Sequence, residues 1–547
     1  MTRRVSSIAT ILLGTLVPAF AANSAATFDW FDYQASTKPV AAEGQFSNPI
    51  LPGFYPDPSI TRKGDTYYLV NSSFAYTPGL PIFESDDLVH WQLAGHALHK
   101  SSQVSFEGLN TSRGIFAPTI RYHDGLFYLI TTAVDAGGNF IITAEDPAGP
   151  WSDPVWLPEV GGIDPDLFID DDGRAYIAHN DAPPGEPLYD GHRAVWLWEI
   201  DLATLKVKPD SRKLLINGGV DISKQPVWIE GPHIYRVNGW YYLTCAEGGT
   251  SVNHSQVVFR TRSLDEPFVP YENNPILTQR DRPQSDITST GHADFVQTPD
   301  GDWWSVFLAT RPYEGNHYNT GRETFILPLS WENEWPHILP AGEPVPTVLP
   351  LPKGVTNDSM TFAGQSRHFR DDFESDELNS QWLGLNTFER SWAVAGNGQL
   401  SLSPVTQSLV APQQSAFIGK RQQHMQFSAS TKLKEIGENS SAGLVMFQNR
   451  RYHYFLGVEH SASQRIAFVE KVENGKVSRL AEAVLEQPGE VVLSVAGSKD
   501  ALQFSVTDSR GNKTDIGEPV SATLVSTETA GGFVGALIGL HARTSGK

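Results

Sequence analysis

Five times between residues 64 and 310, a short turn signal runs straight into an aromatic and β-branched stretch. The units are Gly64-Asp65-Thr66-Tyr67-Tyr68-Leu69-Val70, Asp124-Gly125-Leu126-Phe127-Tyr128-Leu129-Ile130, Asp172-Gly173-Arg174-Ala175-Tyr176-Ile177-Ala178, Asn238-Gly239-Trp240-Tyr241-Tyr242-Leu243 and Gly301-Asp302-Trp303-Trp304-Ser305-Val306-Phe307. Asp-Gly and Asn-Gly before such runs are hairpin signals, because glycine supplies the positive φ that a tight turn needs. The spacing of roughly 50 to 65 residues is that of a radial repeat, so the region 46–350 reads as a five-bladed β-propeller. It contains no amphipathic helix of useful length. An irregular β-sandwich is the alternative.

The rest of the chain divides into three parts. Pro336, Pro340, Pro344, Pro346, Pro350 and Pro352 stiffen a connector. From 368 to 547 the pattern changes to period-two alternation, as in Met425-Gln426-Phe427-Ser428-Ala429-Ser430 and Ala442-Gly443-Leu444-Val445-Met446-Phe447, which predicts a second β-sandwich domain. At the other end, Arg3 and Arg4 precede an apolar stretch from Ile8 to Phe20 and small residues through Ala26. That is the layout of a secretory signal and processing region over 1–26, with Ala19-Phe20-Ala21 as cleavage site, and it implies a secreted or periplasmic protein. The stretch is shorter than the roughly 20 residues of a membrane span, and no later segment reads as one.

Charge and cysteine content remove several functions. The chain has 62 Asp and Glu against 41 Lys and Arg, a net charge of -21, which offers no field to attract nucleic acid. A single cysteine, Cys245, excludes intramolecular disulfides and cysteine-based metal clusters. It lies in an apolar run and reads as a small buried hydrophobe.

Three carboxylates stand apart, each beside proline or glycine at the edge of an apolar segment and each in a different repeat. They are Asp57 in Gly53-Phe54-Tyr55-Pro56-Asp57-Pro58, Asp164 in Gly162-Ile163-Asp164-Pro165-Asp166, and Glu230 in Trp228-Ile229-Glu230-Gly231-Pro232-His233. In a propeller such residues can meet on the central axis. Taken singly, a turn carboxylate capping backbone N–H groups is the alternative for each. Asp171-Asp172-Gly173 reads as a hairpin turn, not a calcium loop.

These segments, in this order, resemble glycoside hydrolase family 43, across 46–547. The resemblance implies a five-bladed propeller followed by a concanavalin-like jelly-roll sandwich. It implies hydrolysis with inversion, with Asp57 as general base, Asp164 as orienting and pKa-modulating residue, and Glu230 as general acid. Inversion needs the acid and base carboxyls about 6.5–9.5 Å apart, leaving room for water beyond the sugar ring. It further implies substrate contacts by Arg322, His292, Phe74 and Phe116, the last at a position where relatives commonly carry Trp. An ion pair of Arg322 with Glu323 and core packing of the phenylalanines are the alternatives. His254 is a candidate for the pocket rim. No cofactor is required. His292 matches a histidine that in several members sits by a water-coordinated calcium, so a structural calcium on the axis is the one metal raised.

The sandwich resembles the C-terminal module of the β-xylosidase branch, where a loop from it helps close the pocket. Exposed Trp382 or Trp392 would instead mark a glycan-binding face. The expected partner is an oligosaccharide, with xylose release first and arabinofuranose release, or both, as the alternative. A non-catalytic glycan-binding protein is the reading from another class, and loss of Asp57 or Glu230 would have favoured it.

Overall fold

The computed structural model describes residues 25–37, 41–355, 367–405, 408–411, 414–461 and 464–545. The signal-like segment and its cleavage site lie outside these. Among the described residues no helix is long and apolar enough to cross a membrane.

Five antiparallel sheets form the propeller. Their innermost strands are Ser59–Lys63, Thr119–His123, Ile163–Ile169, Glu230–Val237 and Thr288–Gln297, which we number blades 1 to 5. Each predicted turn falls at the hairpin after an innermost strand, and the aromatic run after it forms the next strand, as in Thr66–Val70 and Trp303–Thr310. Alternate residues of these runs face neighbouring blades, and side chains such as Tyr67, Phe127, Tyr242 and Phe307 are buried between them. The ring closes where the innermost strand of blade 5 meets that of blade 1. A further pair, Gln45–Ser47 with Val348–Pro350, ties the two ends of the propeller segment together.

The second domain is a sandwich of a nine-stranded and a six-stranded sheet. One strand of the larger sheet comes from the opposite end of the chain. Ala26–Ala35 lies between Gln426–Ile436 and the strands His368–Asp371 and Gln399–Leu402. A sandwich beginning near 368 therefore omits a central strand. Alternation runs from Phe31 through Tyr33 to Ala35 and is broken by a bulge before Trp30; Phe28, Phe31 and Tyr33 are buried in the sandwich core, but the propeller separates the strand from its partners by more than 300 residues. Ala26, assigned to the processing region, is the first residue of this strand and fully buried.

Trp382 and Trp392 are not exposed. They are 1% and 3% accessible and fill the sandwich core. Trp382 donates its indole N–H to Asp371 at 2.8 Å, which satisfies the polar atom a buried Trp carries. A glycan-binding face built on either residue is excluded.

Polar contacts join the domains. The Arg421 guanidinium donates to the Phe54 carbonyl at 2.8 Å and lies 4.2 Å from the Tyr55 ring centre. Asn319 accepts from the Ala536 amide at 2.7 Å. At Gly321, with φ of +73°, a Cβ would stand 2.6 Å from the Phe54 Cβ and 3.0 Å from Gly535. Only glycine lets the sandwich loop approach the propeller this closely, one residue before Arg322.

Candidate active site

The innermost strands begin in a shared way. Asp57, Asp164, Gly231 and His292 each lie two residues before a residue facing the axis, namely Ser59, Asp166, His233 and Asp294. All four have left-handed φ, of 52°, 54°, 54° and 54°. In three of the blades the pairing register slips at this point. The slip turns the first residues out of the ladder and toward the axis. Left-handed backbone at Asp57, Asp164 and His292 is a strain that persists only where surrounding contacts hold it.

The residues two positions further in form a floor. Arg121 of blade 2 donates to Asp166 at 2.7 Å, to Asp294 at 2.8 Å and to the Ser59 hydroxyl at 3.2 Å. Ser59 and Tyr235 also donate to Asp294, at 2.7 and 2.6 Å. The His233 Nδ1 of blade 4 lies 3.1 Å from the same guanidinium, so all five blades meet there, which fixes where the residues above them stand.

Above this floor, Asp57 is buried and held on three sides. Arg322 donates to its two oxygens at 2.6 and 3.4 Å, Ser72 donates at 2.5 Å, and the His292 Nδ1 is 3.7 Å away. Burial pushes the Asp57 pKa up, but Arg322, then His292 and Ser72, outweigh it and hold the carboxyl below its ordinary value. Glu230 goes the other way. Burial first, then the charges of Asp164 and Asp57, raise its pKa well above the usual range. Asp164 is raised too, by burial and then by Asp57, and accepts from the Gly231 amide at 3.2 Å, next to Glu230. One pocket therefore holds Asp57 ionised beside Glu230 kept protonated, with the Asp164 carboxyl raised to about 7.

Arg322 does not pair with Glu323. That glutamate binds Arg311 instead, at 2.6 and 2.7 Å, and accepts the Gly53 amide at 2.8 Å, bracing the loop that carries Asp57. Arg322 also donates to Thr250 at 3.1 Å, and its buried Nε finds no protein partner. Phe74 and Phe116 meet edge to face at 5.6 Å, and Phe533 from the sandwich completes the cluster at 6.2 Å from Phe74 and 5.7 Å from Phe116. Phe74 is fully buried, whereas Phe116 and Phe533 are only partly covered. The Arg322 guanidinium lies 5.7 Å from the Phe533 ring centre, so the sandwich supplies a wall beside the charged cluster.

His254 is not at a rim. It is fully buried, with its Nδ1 3.1 Å from the Ser289 carbonyl, and burial lowers its pKa to about 3. Burial also holds His292 neutral, lowering its pKa to about 4. Ser72, Thr250, Phe533 and Arg121 escaped the sequence reading. Only Phe533, after Gly531-Gly532, carries a local signal, a turn ending in an aromatic.

The donors on this axis decide whether a calcium fits there. Among the described residues no group of three or more His, Cys, Asp or Glu side chains could hold a metal. The two axial acids, Asp166 and Asp294, are already neutralised by Arg121. These residues do not fit a metal ligated by side chains, and no step below uses one.

Buried carboxyl groups with pKa values pushed in opposite directions in a closed propeller fit the acid–base chemistry of a glycoside hydrolase. Residues 46–336 match the profile of glycosyl hydrolases family 43, and residues 370–547 match the β-xylosidase C-terminal concanavalin A-like domain. The chain is 38% identical to a xylosidase/arabinosidase of Butyrivibrio fibrisolvens, over 92% of this chain and 96% of that one. It is 36% identical to a non-reducing end α-L-arabinofuranosidase of Bacteroides ovatus, over 92% and 93%. Among solved structures, a GH43_12 protein from a capybara gut metagenome superposes with a TM-score of 0.89 at 39% identity, covering 95% of this chain and all of that one. A xylan β-1,4-xylosidase of Bacillus halodurans gives 0.80 at 31% identity, covering 91% and 97%. The chain belongs to glycoside hydrolase family 43.

Proposed function

We propose that the protein is an inverting, exo-acting glycosidase that releases xylose from the non-reducing ends of β-xylosides and xylo-oligosaccharides. The observation that carries this reading is the opposite protonation of Asp57 and Glu230 in one pocket. Glu230, kept neutral by burial and by its acidic neighbours, donates a proton to the leaving oxygen. Asp57, kept ionised by Arg322, takes a proton from water as it attacks the opposite face of the sugar. Asp164 keeps Glu230 protonated through its charge and is tied to it by the Gly231 amide. Positive charge that develops on the ring is met by Asp57 and Asp164. Arg322, with its unpartnered Nε, donates to sugar hydroxyls, and Phe116 and Phe533, backed by the buried Phe74, cover the apolar face of the ring. A wall supplied by the second domain favours a pocket, and so exo action, over an open cleft. Export from the cytoplasm belongs to the same reading and rests on the pattern over 1–26.

Release of α-L-arabinofuranose is the second reading, favoured by the names of the two relatives above. The test is a paired assay on 4-nitrophenyl β-D-xylopyranoside and 4-nitrophenyl α-L-arabinofuranoside, with Asp57→Ala as control. Proton NMR of the first anomer formed reports the stereochemistry. The xyloside is expected to dominate, with release of the α-anomer. A dominant arabinofuranoside signal would replace the first reading with the second. Retention at the anomeric carbon would remove Asp57 as the base.

A further inference from the structure

We infer that Arg193, held over the Trp228 ring, grips the first sugar of the leaving group by its hydroxyls. This rests on the glycosidase reading above and deepens it, since it names what recognises the departing side of the bond. Chemistry locates that side. The leaving oxygen takes its proton from Glu230 and the water comes from Asp57, so the leaving group lies by Glu230 and away from Asp57. The opposite side is already occupied by Arg322 and the phenylalanine wall.

Trp228 stands two residues before Glu230, with φ of 52° and its amide donating to the Gly191 carbonyl at 2.9 Å. Arg193 immediately precedes the strand Ala194–Asp201. Ala194 pairs with Asp181, and Asn180 with Ile163, so Arg193 lies at the end of blade 3 that carries Asp164. Its guanidinium is 4.1 Å from the Trp228 ring centre. Its charge acts on Glu230, drawing that carboxyl's pKa down against the stronger effects of burial and the two aspartates, so it lies within electrostatic reach of the acid.

What separates Arg193 from an ordinary surface arginine is its unused donors. Two comparable stacks, Arg212 on Trp196 and Arg370 on Trp30, carry ion pairs with Asp181 at 2.8 Å and Asp372 at 2.6 Å. Arg262 on Trp240 lacks one, but it is exposed and sits at the opposite end of blade 4. Arg193 is half-buried at the catalytic end. Among the described residues its side chain forms no ion pair and one long hydrogen bond, to the His192 carbonyl at 3.4 Å. A guanidinium fixed on an aromatic face, with a free fork of N–H groups, fits two neighbouring hydroxyls of a sugar.

The test compares xylobiose with β-D-xylopyranosyl fluoride, whose leaving group has no sugar to hold. Arg193→Lys and Arg193→Met are each expected to lose about 10-fold or more in kcat/KM on xylobiose, the loss of a charged hydrogen bond, and to stay within about two-fold on the fluoride. Turnover of the fluoride reports that the fold and the base are intact. Equal losses on both probes would overturn the inference in favour of an effect on Asp57 or on folding, and an equal loss on methyl β-D-xylopyranoside, whose leaving group needs the proton but offers no second sugar, would overturn it in favour of an effect on Glu230. Unchanged turnover of xylobiose would overturn it outright. Failure of the underlying reading looks different: wild-type protein silent on both probes and on their arabinofuranosyl counterparts.

Discussion

Arg322→Met would isolate the group that keeps Asp57 ionised. In the wild-type protein the guanidinium contacts the carboxylate at 2.6 and 3.4 Å in a buried setting. With charge centres about 4 Å apart and an effective dielectric near 20, the attraction is about 4 kcal/mol, or about 3 pK units. His292 and Ser72 remain, and water enters the space left, so the Asp57 pKa is expected to rise by about 1 to 3 units. The base is active only when ionised, so the acid limb of log kcat/KM against pH moves up by that amount. The basic limb, set by Glu230, moves much less.

Stability carries the same sign. The depressed Asp57 pKa stabilises the fold above the unfolded pKa of about 3.9, and this is lost as pH falls through the folded value. In the variant it is gone at neutral pH, and breaking the buried pair costs about 3 to 5 kcal/mol. The assay is a pH–rate profile on an aryl xyloside, with Arg322→Lys beside it. Lysine keeps the charge and loses the fork, so its limb should lie between the other two. A lower plateau alone reports lost sugar contacts. An acid limb left in the wild-type position would refute the assignment of Arg322 as the group that holds Asp57 ionised.

Three further outcomes follow from the same site. Glu230→Ala should cost about 100-fold or more on xylobiose, whose leaving group needs a proton, and far less on an activated aryl glycoside; equal losses on the two would end its role as acid. Asp164→Asn removes the charge that, after burial, does most to raise the Glu230 pKa, so the basic limb should move to lower pH, by about 1 unit for a strongly interacting pair, and a stationary limb would show that burial and Asp57 suffice to keep Glu230 protonated. Phe533→Ala opens the wall supplied by the sandwich and should raise KM several-fold while leaving the pH limbs in place; an unchanged KM would mean that the sandwich braces the propeller without touching substrate.

Much of this molecule is local in origin. The five turns before aromatic runs are hairpins because Asp-Gly and Asn-Gly bend the chain with no help from distant residues, and period-two alternation alone marks the sandwich strands. Asp57, Asp164 and Glu230 stand out for a local reason too, since each lies beside proline or glycine at the edge of an apolar segment. Partnership was not legible. Arg322 adjoins Glu323 in the chain, yet the carboxylate it serves is 265 residues away, while Glu323 turns to Arg311. His254, Trp382 and Trp392 carry no local mark of burial, because burial depends on which surfaces the fold brings over them.

Ala26–Ala35 shows the same division most plainly. Its alternating pattern makes it a strand, but only closure of the propeller delivers it to partners beyond residue 367. Protonation state belongs wholly to tertiary structure. Asp57 and Glu230 are both carboxylic acids with nearly equal intrinsic pKa. One becomes base and the other acid because the ring sets Arg322 against the first and buried aspartates against the second.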